Sequence, residues 1–280
     1  MLVSVIIFVI VLLFYLHLMS QFKTSEDLEI YETDYVNNRE LDEICNLRQP
    51  VLFEFKSHFP DMEGTYGSLP LTAERSSAPS AQNPPYSVVV NVRDTTETET
   101  IRLPFESALT LMKTDEKSRF TSENNSSIPI NEITRLDAFL KPPWVVHETT
   151  DVIFGSNKAT TPLQYHTNHR TFMCVKSGHI RVKMTPYKSR KYAGANTAPD
   201  NPNNRIAENE TDERMRFLEF DVQSGYILYV PSRWYYSIQL FDDAQVCEIT
   251  YNTVFSLFAN LPGIVAGNRV FPAFSLVGCI

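Results

Sequence analysis

Cysteine is scarce in this sequence, with four residues in 280, and none of the four forms a Cys-x-x-Cys pair. Cys45, Cys174, Cys247 and Cys279 are therefore no zinc-ribbon pattern, and their scatter signals no disulfide framework; isolated buried thiols are the ordinary reading. Positive charge is also in short supply. Lys and Arg number 25 against 33 Asp and Glu, a formal net charge of −8 and a pI near 5.3. A protein that tracks a nucleic-acid backbone needs a concentrated basic face to displace counterions, so nucleic acid is not an expected partner. No internal repeat is present, which removes solenoid and propeller arrays.

The most informative absence is local. Residues 1 to 19, MLVSVIIFVIVLLFYLHLM, contain no Lys, Arg, Asp or Glu, and His17 is the lone interruption of the apolar run. As a helix rising 1.5 Å per residue, such a run is just long enough for a hydrocarbon core of about 30 Å. A cleaved signal peptide would start with a basic segment and end at a small-x-small site, and neither is seen here. The expectation is a retained single span over 1–20, followed by an acidic juxtamembrane linker over 21–40. Lys23 is the one nearby basic residue and acids count for little, so orientation is left open.

Beyond the linker, LDEICNLRQPVLFEF reads as a short helix and then a strand, divided at Gln49-Pro50 because a residue before proline avoids the helical region. Residues 59–85, rich in Pro, Ser and Gly, are expected to be loop. YSVVVNVRD is strand-like, and Phe105, Ala108, Leu109 and Met112 recur at helical spacing. From Ile153 onward come short β-type runs: FMCVKSG, HIRVKMTP, RFLEFDV, YILYVP, YYSIQLF and QVCEITYNTVF. Ser177-Gly178, Ser224-Gly225 and Asp242-Asp243 read as turns between them, a pattern that favours an antiparallel sandwich or barrel. Residues 187–214 are expected to form a long polar loop, of a length usually functional or disordered. The sequons at Asn124, Asn125 and Asn209 would matter only in a lumenal domain.

Two segments belong together. Residues 155–186, containing TTPLQYH, and residues 224–240, SGYILYVPSRWYYSIQL, resemble the two halves of the JmjC or cupin-like double-stranded β-helix, the fold of Fe(II)/2-oxoglutarate oxygenases. In the asparaginyl-hydroxylase-like branch the first half reads T-P-L-H-x-D and the second G-D-x-L-F-I-P-x-x-W-W-H. Here Gly225, Tyr229, Val230, Pro231 and Trp234 hold the corresponding places. The layout of residues 41–258 is covered: an N-terminal α+β part over 41–152 and a jelly-roll core over 153–258, with an apolar tail over 259–280. The resemblance implies a mainly β fold with flanking helices, a double-stranded β-helix barrel behind an N-terminal transmembrane helix.

The H-x-D spacing has a physical basis: residues two apart on a strand face the same side, and a distal histidine completes a facial triad. Matched motif to motif, Gln164 stands where the first histidine belongs, His166 where the carboxylate belongs, and Tyr236 where the distal histidine belongs. A glutamine carbonyl is a weak neutral ligand, and a tyrosine must lose a proton of pKa near 10 to ligate as an anion. The position of the cosubstrate lysine falls at Ile180, and Arg181 would replace it only if the register were shifted by one. Thr161 and Asn252 match polar pocket positions of the branch, and Trp234 joins them as pocket-lining.

His166 and His169, with a carboxylate such as Glu248, are weak candidates for another metal, although strand alternation sends residues three apart to opposite faces. Trp234, Tyr235 and Tyr236 with Tyr226 and Tyr229 read first as ordinary strand packing and second as a pocket with hydroxyl and imidazole handles for a small polar ligand. The expectation is a membrane-anchored, catalytically degenerate JmjC/cupin-like binding or structural module with no cofactor, an arrangement similar to single-anchor proteins of large DNA viruses. Two alternatives stand beside it: an oxygenase or other metalloenzyme with a rearranged site using Fe(II) and 2-oxoglutarate, and small-molecule or carbohydrate binding in a metal-free pocket. The C-terminal run, interrupted by Pro262, Gly263, Gly267, Arg269 and Pro272, is too broken to span a membrane and is expected to pack on the domain or to form a dimer or partner contact, with a membrane-surface contact as the sharper, less favoured reading.

Overall fold

The computed structural model describes residues 2–35, 37–56, 87–93, 98–125, 133–192, 205–206 and 213–265. The loop expected at 59–85, most of that expected at 187–214, the Asn209 sequon, and the tail beyond 265 with Cys279 lie outside the described residues. Cys45, Cys174 and Cys247 are buried, and none is disulfide-bonded.

The chain opens with α1 (Leu2–Ser20), which buries no residue and is long and apolar enough to cross a membrane. β1 (Tyr31–Asp34), α2 (Asn38–Cys45) and β2 (Val51–Glu54) follow. Asn37 caps α2 by accepting from the Glu40 backbone N–H at 2.9 Å, a bond that satisfies one of the orphan donors of the first turn. β1 falls inside the stretch expected to be a linker and pairs with β2 in parallel. Next come β3 (Ser87–Arg93), β4 (Thr98–Pro104), α3 (Phe105–Thr114), β5 (Phe120–Ser122) and α4 (Ile133–Leu140). The expected helical face of α3 is realised, since Phe105, Ala108 and Met112 are buried.

The rest is strand-rich: β6 (Val145–Gly155), β7 (Leu163–Tyr165), β8 (Arg170–Thr185), β9 (Arg205–Ile206), β10 (Leu218–Gln223), β11 (Tyr226–Val230) and β12 (Tyr235–Thr253), then α5 (Val254–Val265). The short β9, paired to β7, and a 3-10 turn at Tyr187–Tyr192 replace parts of the expected loop. Among the described residues these strands form one mixed sheet in the order β1-β2-β11-β8-β12-β6-β5-β3-β4, with β7, β9 and β10 branching from it. The protein is thus mainly β, and the sheet is not closed.

β8 and β12 correct the expected turns at Ser177-Gly178 and Asp242-Asp243. Both strands run through these positions, 16 and 19 residues long, and pair from Tyr235 opposite Thr185 to Tyr251 opposite Arg170. The turn residues form facing bulges instead, where the register shifts between Phe241 and Gln245. Gly178 sits at φ +64, and a Cβ there would lie 2.4 Å from the Phe241 carbonyl oxygen, so only glycine fits. A bulge sharpens bend and twist without reversing the chain. Tyr236 and Glu248, twelve residues apart, would be about 40 Å apart on a straight strand. Gln164, opposite Tyr236, nevertheless donates to Glu123, whose neighbour Asn124 donates to Asp151, opposite Glu248, so β12 bends at its bulge.

Strand alternation divides the interior into two cores. Cys247, Ile249 and Tyr251 join Phe53, Phe55, Phe172 and Tyr229 in a core covered by α2, α3 and α4. Val246, Ile238 and Leu240 face the other way, into a second core with Met173, Val175, Ile180, Val182, Leu228 and Trp234. Glu248, Thr250 and Asn252, at even steps from Val246, continue that second face.

Candidate functional site at the polar end of the second core

β7 lies antiparallel to the start of β12, with Gln164 directly opposite Tyr236. Directly opposed residues project to the same face, so pairing alone brings these two side chains together. His166, just past the end of β7, brings its ring edge-on to that of Tyr236 at 5.7 Å between centroids. The three positions singled out from the sequence therefore converge.

Their chemistry differs from that of a ligand triad. The Gln164 Nε2 donates to Glu123 Oε2 at 3.1 Å, and Glu123 Oε1 accepts from Asn91 Nδ2 at 3.3 Å. Burial above all, then the charges of Glu248, Glu123 and Asp151, hold the Tyr236 phenol far above its ordinary value, so it stays neutral. Burial likewise pushes the His166 imidazole down to about 3. Its Nδ1 is 3.5 Å from Thr171 Oγ1, at the limit of a hydrogen bond, and its Nε2 is buried with no hydrogen-bond partner.

Around them stand three carboxylates, two of which sequence reading missed. Asp151 faces Glu248 across the β6–β12 pair, and Glu123 is buried beside Gln164. Asp151 accepts from the backbone N–H groups of Asn124, Asn125 and Val152 at 2.6, 2.5 and 2.7 Å, yet burial outweighs these bonds and raises it to about 6. Glu248, half-buried, is pushed up to about 8 by burial first, then by Asp151 and Glu123. Among the described residues its carboxyl has no hydrogen-bond or ion-pair partner. Thr149 and Thr250 join their hydroxyls at 2.9 Å on the same face. Parity with Ile153 could have pointed Asp151 inward, but its neighbour Val152 is equally apolar. Glu123 follows a three-residue strand that carries no readable alternation.

The remaining predicted positions divide. Ile180 is buried in the second core opposite Leu240, as its assigned register requires. Arg181 faces outward and pairs with Asp221 at 2.9 Å, so it does not take the cosubstrate-anchor role. Trp234 is fully buried, with an Nε1 that has no hydrogen-bond partner. Thr161 and Asn252, expected to line the pocket, are instead engaged in holding the chain. The Thr161 hydroxyl accepts from the Ile238 N–H at 2.9 Å, and Ser237 Oγ donates to the Thr161 carbonyl at 2.6 Å. Asn252 accepts from the His169 N–H at 3.2 Å and donates to Asn168 Oδ1 at 3.0 Å, closing the 167–169 loop.

His169 does not join His166. Its Nδ1 lies 3.2 Å from Gln21 Oε1, and its ring lines a separate small crevice with Arg48 and Ser256. Burial, then the charges of Arg170 and Arg48, lowers it to about 3. Among the described residues no three His, Cys, Asp or Glu side chains are grouped to hold a metal ion. The carboxylates crowd one another without converging on one point. The set at the triad positions fits ferrous iron poorly: an amide engaged by Glu123, a neutral phenol and one imidazole.

No family model matches the chain, and no curated protein is similar to it. A solved structure titled "X-Ray structure of E. coli ycfD" is similar at 12% identity and a TM-score of 0.41, over 71% of this chain and 54% of that one. The chain spans about half the length of that structure, and so slight a likeness carries nothing further.

Proposed function

We propose that this chain is a membrane-anchored, JmjC/cupin-like module in which the iron position of the oxygenase fold has become a metal-free polar binding site. The observation that carries the reading is the convergence of Gln164, His166 and Tyr236 by strand pairing, with the Gln164 amide donated to Glu123. A position that keeps its geometry while losing its ligand chemistry supports descent from a metal site better than chance likeness. α1 supports the anchor by its length, its apolar composition and its exposure along the whole helix.

One observation favours a small polar occupant over a purely structural role. The buried His166 Nε2, on the ring that lies edge-on to Tyr236, has no hydrogen-bond partner, and among the described residues the half-buried Glu248 carboxyl has none. Buried polar groups left unpaired are costly, and such groups mark places where a ligand supplies the missing bonds. At neutral pH the protonated Glu248 donates and the neutral imidazole donates or accepts.

The test is elemental analysis of the full chain, purified in detergent without chelator, followed by Fe(II) and Zn(II) titration of wild type and His166→Ala. Neither protein is expected to hold stoichiometric metal. Metal near one equivalent that vanishes in His166→Ala would overturn the reading and restore the oxygenase alternative.

A further inference from the structure

We propose that α5 and the adjoining start of β6 form a second membrane contact, seating Phe258, Leu261 and Trp144 in the bilayer interface beside α1. The inference rests on α1 as the membrane span and adds to that reading which face of the domain meets the lipid.

α1 buries no residue and meets the domain through aromatic contacts with α5. The Phe14 ring lies 5.9 Å from both Phe255 and Phe258, and His17 stacks on Phe255 at 4.9 Å. These contacts set a depth. Phe14 precedes Ser20 at the end of α1 by six residues, so the Phe258 ring sits about 9 Å below that end at 1.5 Å per residue. Interfacial helices bury their apolar face by roughly 5–10 Å.

α5 has the composition for that position. VFSLFANLPGIV contains no charged residue. Val254, Phe258 and Leu261, at helical spacing on one face, are 41%, 47% and 42% exposed. The opposite face is held to the domain: Ala259 is buried, Ser256 Oγ bonds the Thr253 carbonyl, and Asn260 Nδ2 donates to the Thr167 carbonyl at 2.8 Å. A helix with an apolar outer face and no charge does not suit water.

The β6 end extends the same face. Val145 pairs with Thr253, the residue before α5. Beside it Trp144 is 83% exposed at φ +65, and Val146 is also exposed. A bulky side chain held in the left-handed region is strained, and this one is left outside the fold. Tryptophan is the residue most suited to the headgroup boundary. Just on the domain side, the half-buried Arg233 guanidinium lies over the Phe22 ring at 4.6 Å.

The two tryptophans make the test direct. The full chain is reconstituted in phosphatidylcholine vesicles whose acyl chains are brominated either near the headgroup or near the chain end. Trp234, fully buried, is the internal reference, and Trp144→Phe assigns the exposed component. Shallow bromine is expected to quench a component of the emission that Trp144→Phe lacks, and deep bromine to quench it less. Phe258→Ser combined with Leu261→Ser should reduce that quenching while the protein stays in the vesicles. Unquenched Trp144 in protein that resists alkaline carbonate would overturn the second contact and leave the anchor intact. Unquenched Trp144 with cross-linking between copies would assign the face to a second copy and equally overturn it. Release by carbonate would instead sink the anchor on which the inference rests.

Discussion

The two ends of the second core are built by the same strands and differ in almost everything else. At one end Ile180, Val182, Leu228, Trp234, Ile238 and Leu240 form a dry apolar packing. At the other, the same face of β12 turns after Val246 to Glu248 and Thr250, opposed by Asp151 and Thr149 from β6. The facing bulges at Gly178 and Asp242-Asp243 bend β12, and Gln164, Glu123 and Asp151 link Tyr236 to Glu248 across the bend. The apolar end supplies stability, and this lets the polar end keep crowded carboxylates and an unpaired imidazole nitrogen that a core optimised for stability would exclude.

Trp234→Ala strikes the apolar end and should have the largest effect, a loss of roughly 3–5 kcal/mol from a fully buried aromatic. Chemical denaturation in detergent would read it; a loss below 1 kcal/mol would mean that this end is not the dominant packing. At the polar end the sign reverses. Glu248 titrates at about 8 in the fold against an ordinary 4.5, so its contribution is full below about pH 4.5 and is lost as pH rises through 8. Asp151, at about 6 against 3.8, loses its contribution between about pH 4 and 6. Glu248→Gln should therefore stabilise the protein at pH 9 by on the order of 2 kcal/mol and change little at pH 4. A pH series of melting curves checks this, and equal effects at both pH values would contradict it. Gln164→Leu, which removes a donor to Glu123, should cost least, about 1 kcal/mol.

The contrast also explains what could be read from the sequence. The apolar run of α1, the helical spacing in α3 and the β-rich second half of the chain were legible because each is a local pattern. The convergence of Gln164, His166 and Tyr236 was legible through a two-residue spacing and a distant motif. Continuity of β8 and β12 was not, because Ser-Gly and Asp-Asp look the same in a turn and in a bulge. Glu123 and Asp151 were hidden because they meet β12 only through tertiary pairing, Asp151 lying 97 residues before its partner Glu248. Thr161 and Asn252 show why a role is harder to read than a position, since a polar side chain that could face a pocket can equally tie down a neighbouring backbone group.

The central claim, that a metal position survives in geometry and not in chemistry, is tested most directly by rebuilding the ligands. Gln164→His, His166→Asp and Tyr236→His, combined in the full chain, would create the ligand set of the JmjC/cupin-like oxygenases at positions that already lie together. Fe(II) or Zn(II) binding by calorimetry should be absent in the wild type and near one equivalent in a triple variant that melts cooperatively. Stoichiometric metal in the wild type, or a folded triple variant that binds none, would contradict the account.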